Sequence, residues 1–434
     1  MKREIYKQLL DWKLSVNRKP LILQGARQIG KTWILRHFGE CEYKHVAYVN
    51  CDNEPLAQSL FVDYNIERIL LVVESITHVP IIAGETLIIF DEIQELKNGL
   101  SALKYFCENA PEQHVVVAGS LLGLILHPGE SFPVGKVDML QMYPMTYEEF
   151  LMAIGEEKLV EILYSNDWNT ILSLHSRYIN LLRRYYYVGG MPEAVKAFVE
   201  QRGLDAVRDI QNNILQAYSY DISKHAPKQM IQRINQVLQS IPSQLVKENK
   251  KFIYGAVRKG ARASDFELAI QWLIDAGIVV KVSRVSKPEV PLNFYQDFNV
   301  FKLFLLDCGL FGAMNNTTAD QIIASDVIFK EYKGAFTELY VLQQMRVIKN
   351  MPIYYFSSDG DSDLEVDFVV QYADRALPVE VKAEMNLRAK SLKMTAEKYK
   401  IPISLRVSMS AYREESWLTN VPLYGIKSFL VRKI

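Results

Sequence analysis

The sequence has few cysteines, no long apolar run and no excess of charge of either sign. Its four cysteines (Cys41, Cys51, Cys107 and Cys308) include no CxxC pair and are too few and scattered for a disulfide framework. No window approaches the ~20 consecutive apolar residues of a transmembrane helix. Residues 1–14 mix charged with apolar residues and lack the apolar segment of a signal peptide. These absences predict a cytoplasmic protein without a membrane segment.

The balance of charge excludes two classes of protein and conceals a local imbalance. Fifty Lys and Arg against fifty Asp and Glu exclude a uniformly basic nucleic-acid coat and an acidic disordered chain. Residues 51–100 nevertheless carry nine acids against two bases, about −7. The segment Lys224–Arg262 carries nine bases against Glu248 alone, about +8. The zero sum therefore hides a basic segment in the middle of the chain.

The chain is long enough for two to three domains of roughly 150 residues. In the first, residues 1–155, short apolar runs alternate with amphipathic helical segments, which predicts a parallel sheet covered on both faces. The apolar runs are Pro20–Gln24, His45–Cys51, Thr86–Phe90, His114–Gly119 and Val137–Met142.

The middle region, residues 156–320, is predicted to be helical at first and then to resemble a winged helix-turn-helix. Apolar residues recur at spacings of three and four up to about residue 240. Two further helical segments follow, and Ile278–Val285 and Leu292–Tyr295 are the candidate strands of the wing. The last region, residues 321–434, is predicted to run helix, strand, strand, helix and strand.

A phosphate-binding loop is the sharpest signal in the sequence. Residues 25–32 match GxxxxGK[ST] in full, between the apolar run Leu21–Gln24 and a helical segment. This context lets backbone N–H groups and the helix dipole meet phosphate oxygens. The alternative is a chance glycine-rich turn. The predicted nucleotide-binding residues are Gly25, Ala26, Arg27, Gln28, Ile29, Gly30, Lys31 and Thr32.

Individual residues of this loop have distinct expected roles. Gly25 and Gly30 permit the tight backbone, Lys31 reaches the β- and γ-phosphates, and Thr32 offers its hydroxyl to Mg²⁺.

Two further strand ends complete the expected catalytic set. Leu87–Phe90 is an apolar run that ends in Asp91 and Glu92, the Walker B pattern: Asp91 would orient Mg²⁺ through water, and Glu92 would polarise the attacking water. Ser120 follows the apolar run Val115–Gly119 and suits a sensor between the nucleotide and the acids. The alternatives are a strand that ends in a solvated acidic turn and a plain Gly-Ser turn.

These motifs resemble one prokaryotic family. Gly25–Thr32 (GARQIGKT), Phe90–Gln94 (FDEIQ), Ala118–Leu121 (AGSL), Tyr143–Met145 (YPM) and Gly189–Glu193 (GGMPE) look like the AAA-type ATPases joined to a C-terminal domain of unknown function, DUF4143. The resemblance covers essentially the whole chain. It implies an additional-strand (ASCE) P-loop fold that uses ATP and Mg²⁺, a winged-helix middle and a nuclease-like C-terminal domain.

An ATPase of this kind usually needs an arginine near the γ-phosphate. Arg36, Arg183 and Arg184 are candidates, but none stands in a motif that assigns the role, and each also fits a surface or salt-bridging arginine. A partner subunit could supply the residue instead, so the oligomeric state is left open.

The basic segment Lys224–Arg262 has two interpretations. A basic helix-turn-helix with a β-wing holds a duplex by its phosphates, which makes DNA a candidate partner. The same charge also fits a solvated face or a relay module in an ATPase. The run Tyr185–Tyr187 likewise fits core packing or base stacking.

The C-terminal region carries an ordered set of charged residues. Glu338 lies on a helical segment, Asp367 on one strand-like run, and Glu380 and Lys382 share one face of the next. This order resembles the PD-(D/E)xK nuclease core, in which the carboxylates Glu338, Asp367 and Glu380 hold a metal ion and Lys382 helps to position water. The alternatives are an inactive nuclease-like domain and an unrelated α/β domain. We therefore expect an ATP hydrolase, with nuclease activity undecided; a DNA-processing protein regulated by nucleotide is the second hypothesis.

Overall fold

The computed structural model describes residues 1–119, 132–247, 251–324, 333–358, 364–372, 374–383 and 389–433. The chain divides into two compact units, each described below by itself. Unit 1 comprises Met1–Tyr143 and Asp275–Gly277, and unit 2 comprises Pro144–Ile274 and Ile278–Ile434.

Unit 1 alternates strands and helices, as the sequence predicts, and each of the five predicted apolar runs forms a strand. Two short 3-10 turns, Pro55–Ser59 and Ile93–Glu95, lie between the larger elements. The elements are α1 (Ile5–Leu14), β1 (Leu21–Gln24), α2 (Lys31–Glu42), β2 (His45–Asn50), α3 (Ile66–Thr77), β3 (Thr86–Asp91), α4 (Gly99–Asn109), β4 (His114–Gly119) and β5 (Asp138–Gln141).

The five strands form one parallel sheet in the order β2-β3-β4-β1-β5. Strand β4 lies between β1 and β3, which is the additional-strand arrangement that the resemblance implies. The register pairs Gln24 with Gly119 and Asp91 with Ala118. The carboxyl ends of β1, β3 and β4 therefore meet at one edge of the sheet, where the phosphate loop begins.

Burial explains why the central strands are uniformly apolar. All six residues of β3 and all six of β4 are buried, because helices cover both faces of a parallel sheet. On one face, Ile22, Phe90 and Val117 pack with apolar residues of α3 and α4 into a single core cluster. This packing fixes the sheet edge on which the loop and the acids lie.

Unit 2 begins with helices and ends with a mixed sheet and helices. Among the described residues, its elements are α5 (Tyr147–Ala153), α6 (Glu157–Ser165), α7 (Trp168–Ser173), α8 (His175–Val188), α9 (Pro192–Val199), α10 (Leu204–His225), α11 (Ile231–Leu245), α12 (Tyr254–Val257), α13 (Ala263–Asp275), β6 (Val279–Val285), β7 (Gln296–Leu305), α14 (Cys308–Met314), α15 (Lys333–Met345), β8 (Ile353–Ser357), β9 (Glu365–Tyr372), β10 (Arg375–Lys382), α16 (Lys390–Lys398), β11 (Ser404–Ser408), β12 (Arg413–Glu414), β13 (Leu418–Pro422) and α17 (Ile426–Lys433).

Eight strands of unit 2 form one mixed sheet in the order β12-β13-β11-β10-β9-β8-β6-β7. The helices α12 and α13 and the antiparallel pair β6–β7 follow the predicted order of two helices and two strands, although the second strand lies later in the chain than predicted. Strand β6 also pairs in parallel with β8. One sheet thus contains strands from both sides of position 320, at which the sequence was divided.

Two predictions in this part of the chain were wrong in detail. Leu292–Tyr295 is a 3-10 turn that follows Pro291, and its first bond runs from the Phe294 N–H to the Pro291 carbonyl at 3.1 Å. The strand begins only at Gln296, because the turn takes up the residues before it. The C-terminal region also contains β8, β12, β13 and α17 beyond the predicted elements; these are short or fully buried segments without clear periodicity.

The Gly189–Gly190 pair has a structural explanation in unit 2. The Gly190 N–H donates to Asp307 Oδ2 at 2.6 Å, and Gln343 Nε2 donates to the same oxygen at 3.0 Å. A Cβ on Gly190 would lie 2.2 Å from the Met145 carbonyl oxygen, so only glycine fits. Asp307 is fully buried, and burial raises the pKa of its carboxyl group.

No helix in the part of the chain that the structure describes is both long and apolar enough to span a membrane.

Candidate functional site

The phosphate loop connects the end of β1 to the start of α2 at the carboxyl edge of the sheet. Gly25 has a φ of 147° and Gly30 a φ of 91°, both in the region that favours glycine. A Cβ on Gly25 would lie 2.4 Å from Ile29 Cδ1 and 2.5 Å from the Met142 carbonyl oxygen. Gly25 is therefore required by backbone geometry and close approach, and Gly30 by backbone geometry.

Helix α2 directs its amino terminus at this loop. Its first backbone bond joins the Ile34 N–H to the Gly30 carbonyl oxygen at 3.0 Å. The N–H groups of the preceding helical residues, Lys31 to Trp33, have no acceptor within the helix, as at every helix start. Such groups, together with the helix dipole, favour an anion at this position.

The Lys31 side chain folds over the loop that precedes it. Its Nζ donates to the carbonyl oxygens of Gly25 and Ala26, both at 2.8 Å, and the residue is 7% exposed. Burial lowers the pKa of Lys31 to about 8, although the nearby carboxylates of Glu92 and Asp91 act in the opposite direction. Lys31 therefore loses its proton at a lower pH than an exposed lysine does, although the charges of both acids favour its protonated form.

Asp91 joins the loop to the strand that carries the acids. Thr32 Oγ1 donates to Asp91 Oδ2 at 2.7 Å, and the Tyr48 hydroxyl donates to the same oxygen at 2.9 Å. Asp91 is 5% exposed at the end of β3. A hydroxyl oxygen and a carboxylate, the ligand types that suit Mg²⁺, are thus in direct contact.

Tyr48 is a site residue that the sequence did not single out. It lies on β2, two residues before Asn50, which is in register with Asp91. Burial and the Asp91 charge raise the pKa of Tyr48. The Arg36 guanidinium lies 5.1 Å from the centre of the Tyr48 ring. The available sequence signal was the position of Tyr48 in the strand-like run HVAYVN, where its hydroxyl is a polar group close to the carboxyl end of the strand.

Glu92 follows Asp91 in a left-handed backbone conformation with a φ of 53°. A non-glycine residue in this region is uncommon and is often found at functional sites. Its carboxylate accepts a short hydrogen bond from Gln94 Nε2. The conformation turns the chain after β3, so Asp91 and Glu92 take different surroundings although they are adjacent.

The remaining predicted residues of this site have different outcomes. Ala26, Arg27, Gln28 and Ile29 form the loop itself, and Gln28 has a φ of 64°. Ser120, the predicted sensor, lies outside the described residues. Of the arginine candidates, Arg36 is in unit 1, whereas Arg183 and Arg184 lie on α8 of unit 2.

Unit 2 contains the C-terminal residues that the sequence grouped. Glu338 lies on α15 and is 2% exposed, and Glu380 on β10 is 7% exposed. Lys382 Nζ is 2.5 Å from Glu380 Oε1. The Val381 N–H donates to Asp367 Oδ2 at 2.8 Å. Each of the predicted residues is therefore in or beside one face of the sheet.

Burial and the acids around it change the protonation of Glu380. Burial raises the pKa of Glu380 to about 7, and the charges of Asp367 and Glu338 act in the same direction. The adjacent Lys382 acts against this shift. Burial and the two like charges thus favour the protonated form of Glu380.

Lys302 is a further member of this group, and no sequence motif indicates it. It lies on β7, is 0% exposed, and its Nζ is 2.7 Å from Glu365 Oε1. Burial alone would lower the pKa of Lys302, but the charges of Glu338, Glu365 and Asp367 outweigh it and raise the pKa. The signal was a single lysine inside the apolar run of residues 300–306.

Metal binding by the C-terminal acids stays a prediction. Among the described residues, no group of three or more His, Cys, Asp and Glu side chains is arranged to hold a metal ion.

Comparisons with known families agree with the fold and the loop. Residues 17–151 match the AAA domain AAA_14, and residues 333–426 match the domain of unknown function DUF4143. Residues 179–321 match another domain of unknown function, DUF8612. The chain therefore carries a AAA domain with the P-loop ATPase fold. It joins this domain to a C-terminal DUF4143 domain, as the resemblance in the sequence implied.

Solved structures are similar over much of the chain but at low identity. The Walker-type ATPase PABY2304 of Pyrococcus abyssi is 15% identical, covers 72% of this chain and 95% of its own, and has a TM-score of 0.45. The Aeropyrum pernix Orc1 protein in complex with DNA is 16% identical over 74% and 92% of the chains, with a TM-score of 0.28. AMPPCP-bound DnaA from Aquifex aeolicus is 16% identical over 63% and 86%, with a TM-score of 0.27. A comparison with curated proteins gave no match.

Proposed function

We propose that the protein binds ATP with Mg²⁺ at the loop of unit 1, hydrolyses it, and uses this cycle as a molecular switch for the following domains. The observation that carries the proposal is the contact between Thr32 and Asp91. It joins a complete phosphate-loop motif to the acid-bearing strand at 2.7 Å. A chance glycine-rich turn would not require this pairing.

The residues of the site have distinct roles in this proposal. The N–H groups at the start of α2 bind phosphate oxygens, and Lys31 exchanges the carbonyls of Gly25 and Ala26 for the β- and γ-phosphates. Mg²⁺, when bound, would neutralise charge on the phosphates. Thr32 and Asp91 fit it because both present oxygen atoms at one point. Glu92 orients and polarises the attacking water.

Proton uptake on ATP binding provides a test of the Lys31 role. The pKa of Lys31 is lowered to about 8 before nucleotide binds. Phosphate charge raises the pKa, so binding draws a proton onto Lys31 when the pH lies above its free value. At about pH 9 we expect an uptake approaching one proton per ATP, and at about pH 6.5 almost none. Calorimetry in two buffers of different ionisation enthalpy measures it.

The matched control is Lys31→Arg, which keeps a cation that does not titrate in this range. Its binding enthalpy should be independent of the buffer at both pH values. Equal proton uptake by wild type and Lys31→Arg would assign the proton to another group and contradict the role of Lys31.

We infer a second candidate function, DNA binding by unit 2, from the exposure of its basic segment. Eight of the nine basic residues in Lys224–Arg262 are described, and all eight are exposed: Lys224, Lys228, Arg233, Lys247, Lys251, Arg258, Lys259 and Arg262. Arg258 is 3.5 Å from Asp265, a weak surface pair. The helices that carry them precede the β6–β7 pair, as in a winged helix.

Reversal of Lys251, Arg258 and Lys259 to glutamate should weaken DNA retention and reduce its salt dependence. Because each phosphate contact contributes about 0.9 to the slope of log K against log salt, the slope should fall by up to about 3. Fluorescence anisotropy with a labelled duplex at several salt concentrations measures it. Reversal of the exposed lysines Lys349, Lys398 and Lys400 is the matched control. Unchanged binding in the first variant would exclude this surface.

The acid cluster of unit 2 is proposed as structural rather than nucleolytic. Lys302 and Lys382 already pair with Glu365 and Glu380 at 2.7 and 2.5 Å. Glu365 and Glu380 thus each have a lysine as their partner. Of the alternatives predicted from the sequence, this pairing favours an inactive nuclease-like domain.

A further inference from the structure

Arg3 contacts the phosphate loop from outside the matched AAA domain. It lies just before α1 and is 8% exposed. Its Nη1 donates to the Ile29 carbonyl oxygen at 3.0 Å, and its Nη2 donates to the Tyr143 carbonyl oxygen at 2.7 Å. One guanidinium therefore bridges the loop and the segment that follows β5.

Of the two carbonyl partners of Arg3, that of Ile29 bears on phosphate binding, because it belongs to the same peptide group as the Gly30 N–H. The Ile29 C=O and the Gly30 N–H are parts of one planar trans peptide, so they point in opposite directions. A donor that holds the carbonyl on one side therefore holds the N–H on the other. Gly30 has a φ of 91° and no side chain, so nothing in its own structure resists rotation of this peptide.

We propose that Arg3 is a positioning residue of the ATP site, which orients the Gly30 N–H toward the bound phosphates by holding the Ile29 carbonyl. The proposal rests on the proposed ATP-binding function of the loop. It adds a residue that lies 14 positions before the matched AAA domain begins.

The chemistry of the contact requires arginine rather than any cation. Two carbonyl oxygens from distant parts of the chain are bridged by two different nitrogens of one rigid, planar group. A lysine offers a single ammonium on a flexible stem and cannot hold both oxygens in the same geometry.

The helix that follows Arg3 is itself anchored within unit 1. The Tyr6 hydroxyl donates to Glu42 Oε1 of α2 at 2.7 Å, and Trp12 Nε1 donates to the Lys19 carbonyl oxygen at 2.8 Å. Arg3 therefore lies directly before a helix, α1, that is held in place by these hydrogen bonds. This anchoring also supplies a control, because Tyr6 secures the helix without touching the loop carbonyls.

The test compares ATP binding and turnover of Arg3→Met, Arg3→Lys and Tyr6→Phe in the full-length chain. Loss of the bridge removes an orienting hydrogen bond to a charged group, so Arg3→Met should weaken the Kd for ATP·Mg²⁺ about tenfold. The KM should rise by a similar factor while kcat changes less than about twofold, because the N–H binds the phosphates before and during reaction. Arg3→Lys should lie between Arg3→Met and wild type.

Tyr6→Phe should lower the melting temperature but leave the Kd for ATP unchanged. A wild-type Kd in Arg3→Met would overturn the proposal. So would equal weakening in Tyr6→Phe, which would mean that any loosening of α1 has this effect. If Arg3→Met does not fold, Arg3→Lys decides: wild-type affinity would show that the two-carbonyl bridge is not needed. Absence of ATP binding by wild type would instead refute the proposed function, and the Arg3 proposal with it.

Discussion

Replacement of Glu92 by glutamine is expected to abolish ATP turnover while ATP still binds. Glutamine keeps the size of the side chain and can still contact Gln94, but it cannot polarise the attacking water as a carboxylate does. Loss of a general base typically lowers kcat by roughly 100- to 10,000-fold. The binding contacts of Lys31 and the helix start are untouched, so the Kd for ATP should change little.

Lys31→Ala is the complementary variant. It removes the cation that lies over Gly25 and Ala26, and we expect it to lose both ATP binding and turnover. Steady-state phosphate release and equilibrium nucleotide binding separate the two variants. The DNA-processing hypothesis predicts a different pattern. In that case wild type shows no ATP turnover, and both variants keep any DNA binding or cleavage intact.

Replacement of Lys302 by methionine should clearly lower the stability of unit 2. Methionine keeps most of the apolar stem but removes the ammonium that pairs with Glu365. The charges of Glu338 and Asp367, which raise the pKa of Lys302, would then lack this cation. Lys302 is fully buried, whereas Glu365 keeps access to solvent, so loss of this pair should lower the free energy of unfolding by about 2 kcal/mol.

Urea denaturation followed by circular dichroism measures this loss as a lower midpoint for the unit 2 transition. Lys287→Met is the matched control, because Lys287 is exposed and the same substitution there should change stability by no more than about 0.5 kcal/mol. Equal midpoints for Lys302→Met and wild type would mean that the ion pair contributes nothing to the fold.

Features with local sequence signals were predicted well. The strand carrying Phe90 and Asp91 is apolar at every position because both faces are buried, and its end is marked by two acids. The loop between β1 and α2 is equally local, since the positive φ of Gly25 and of Gly30 is a requirement within eight residues of the chain. These signals depend on neighbouring residues along the chain, and a single sequence contains them in full.

The site residues that escaped prediction contact partners far along the chain. Tyr48 is 43 positions from Asp91, Lys302 is 63 from Glu365, and Arg3 is 140 from the Tyr143 carbonyl. No short motif contains such pairs, because the fold alone brings them together. The same reason explains why strands on both sides of position 320 were not expected in one sheet.

A crystal structure with a non-hydrolysable ATP analogue and Mg²⁺ is the most direct test of the ATP site. We expect the phosphates to lie at the N–H groups of residues 30–32, and Lys31 Nζ to leave the Gly25 and Ala26 carbonyls and contact them. We also expect the metal ion to lie beside Thr32 Oγ1, on the side of Asp91. A nucleotide bound elsewhere, with Lys31 still bonded to the two carbonyls, would contradict this expectation.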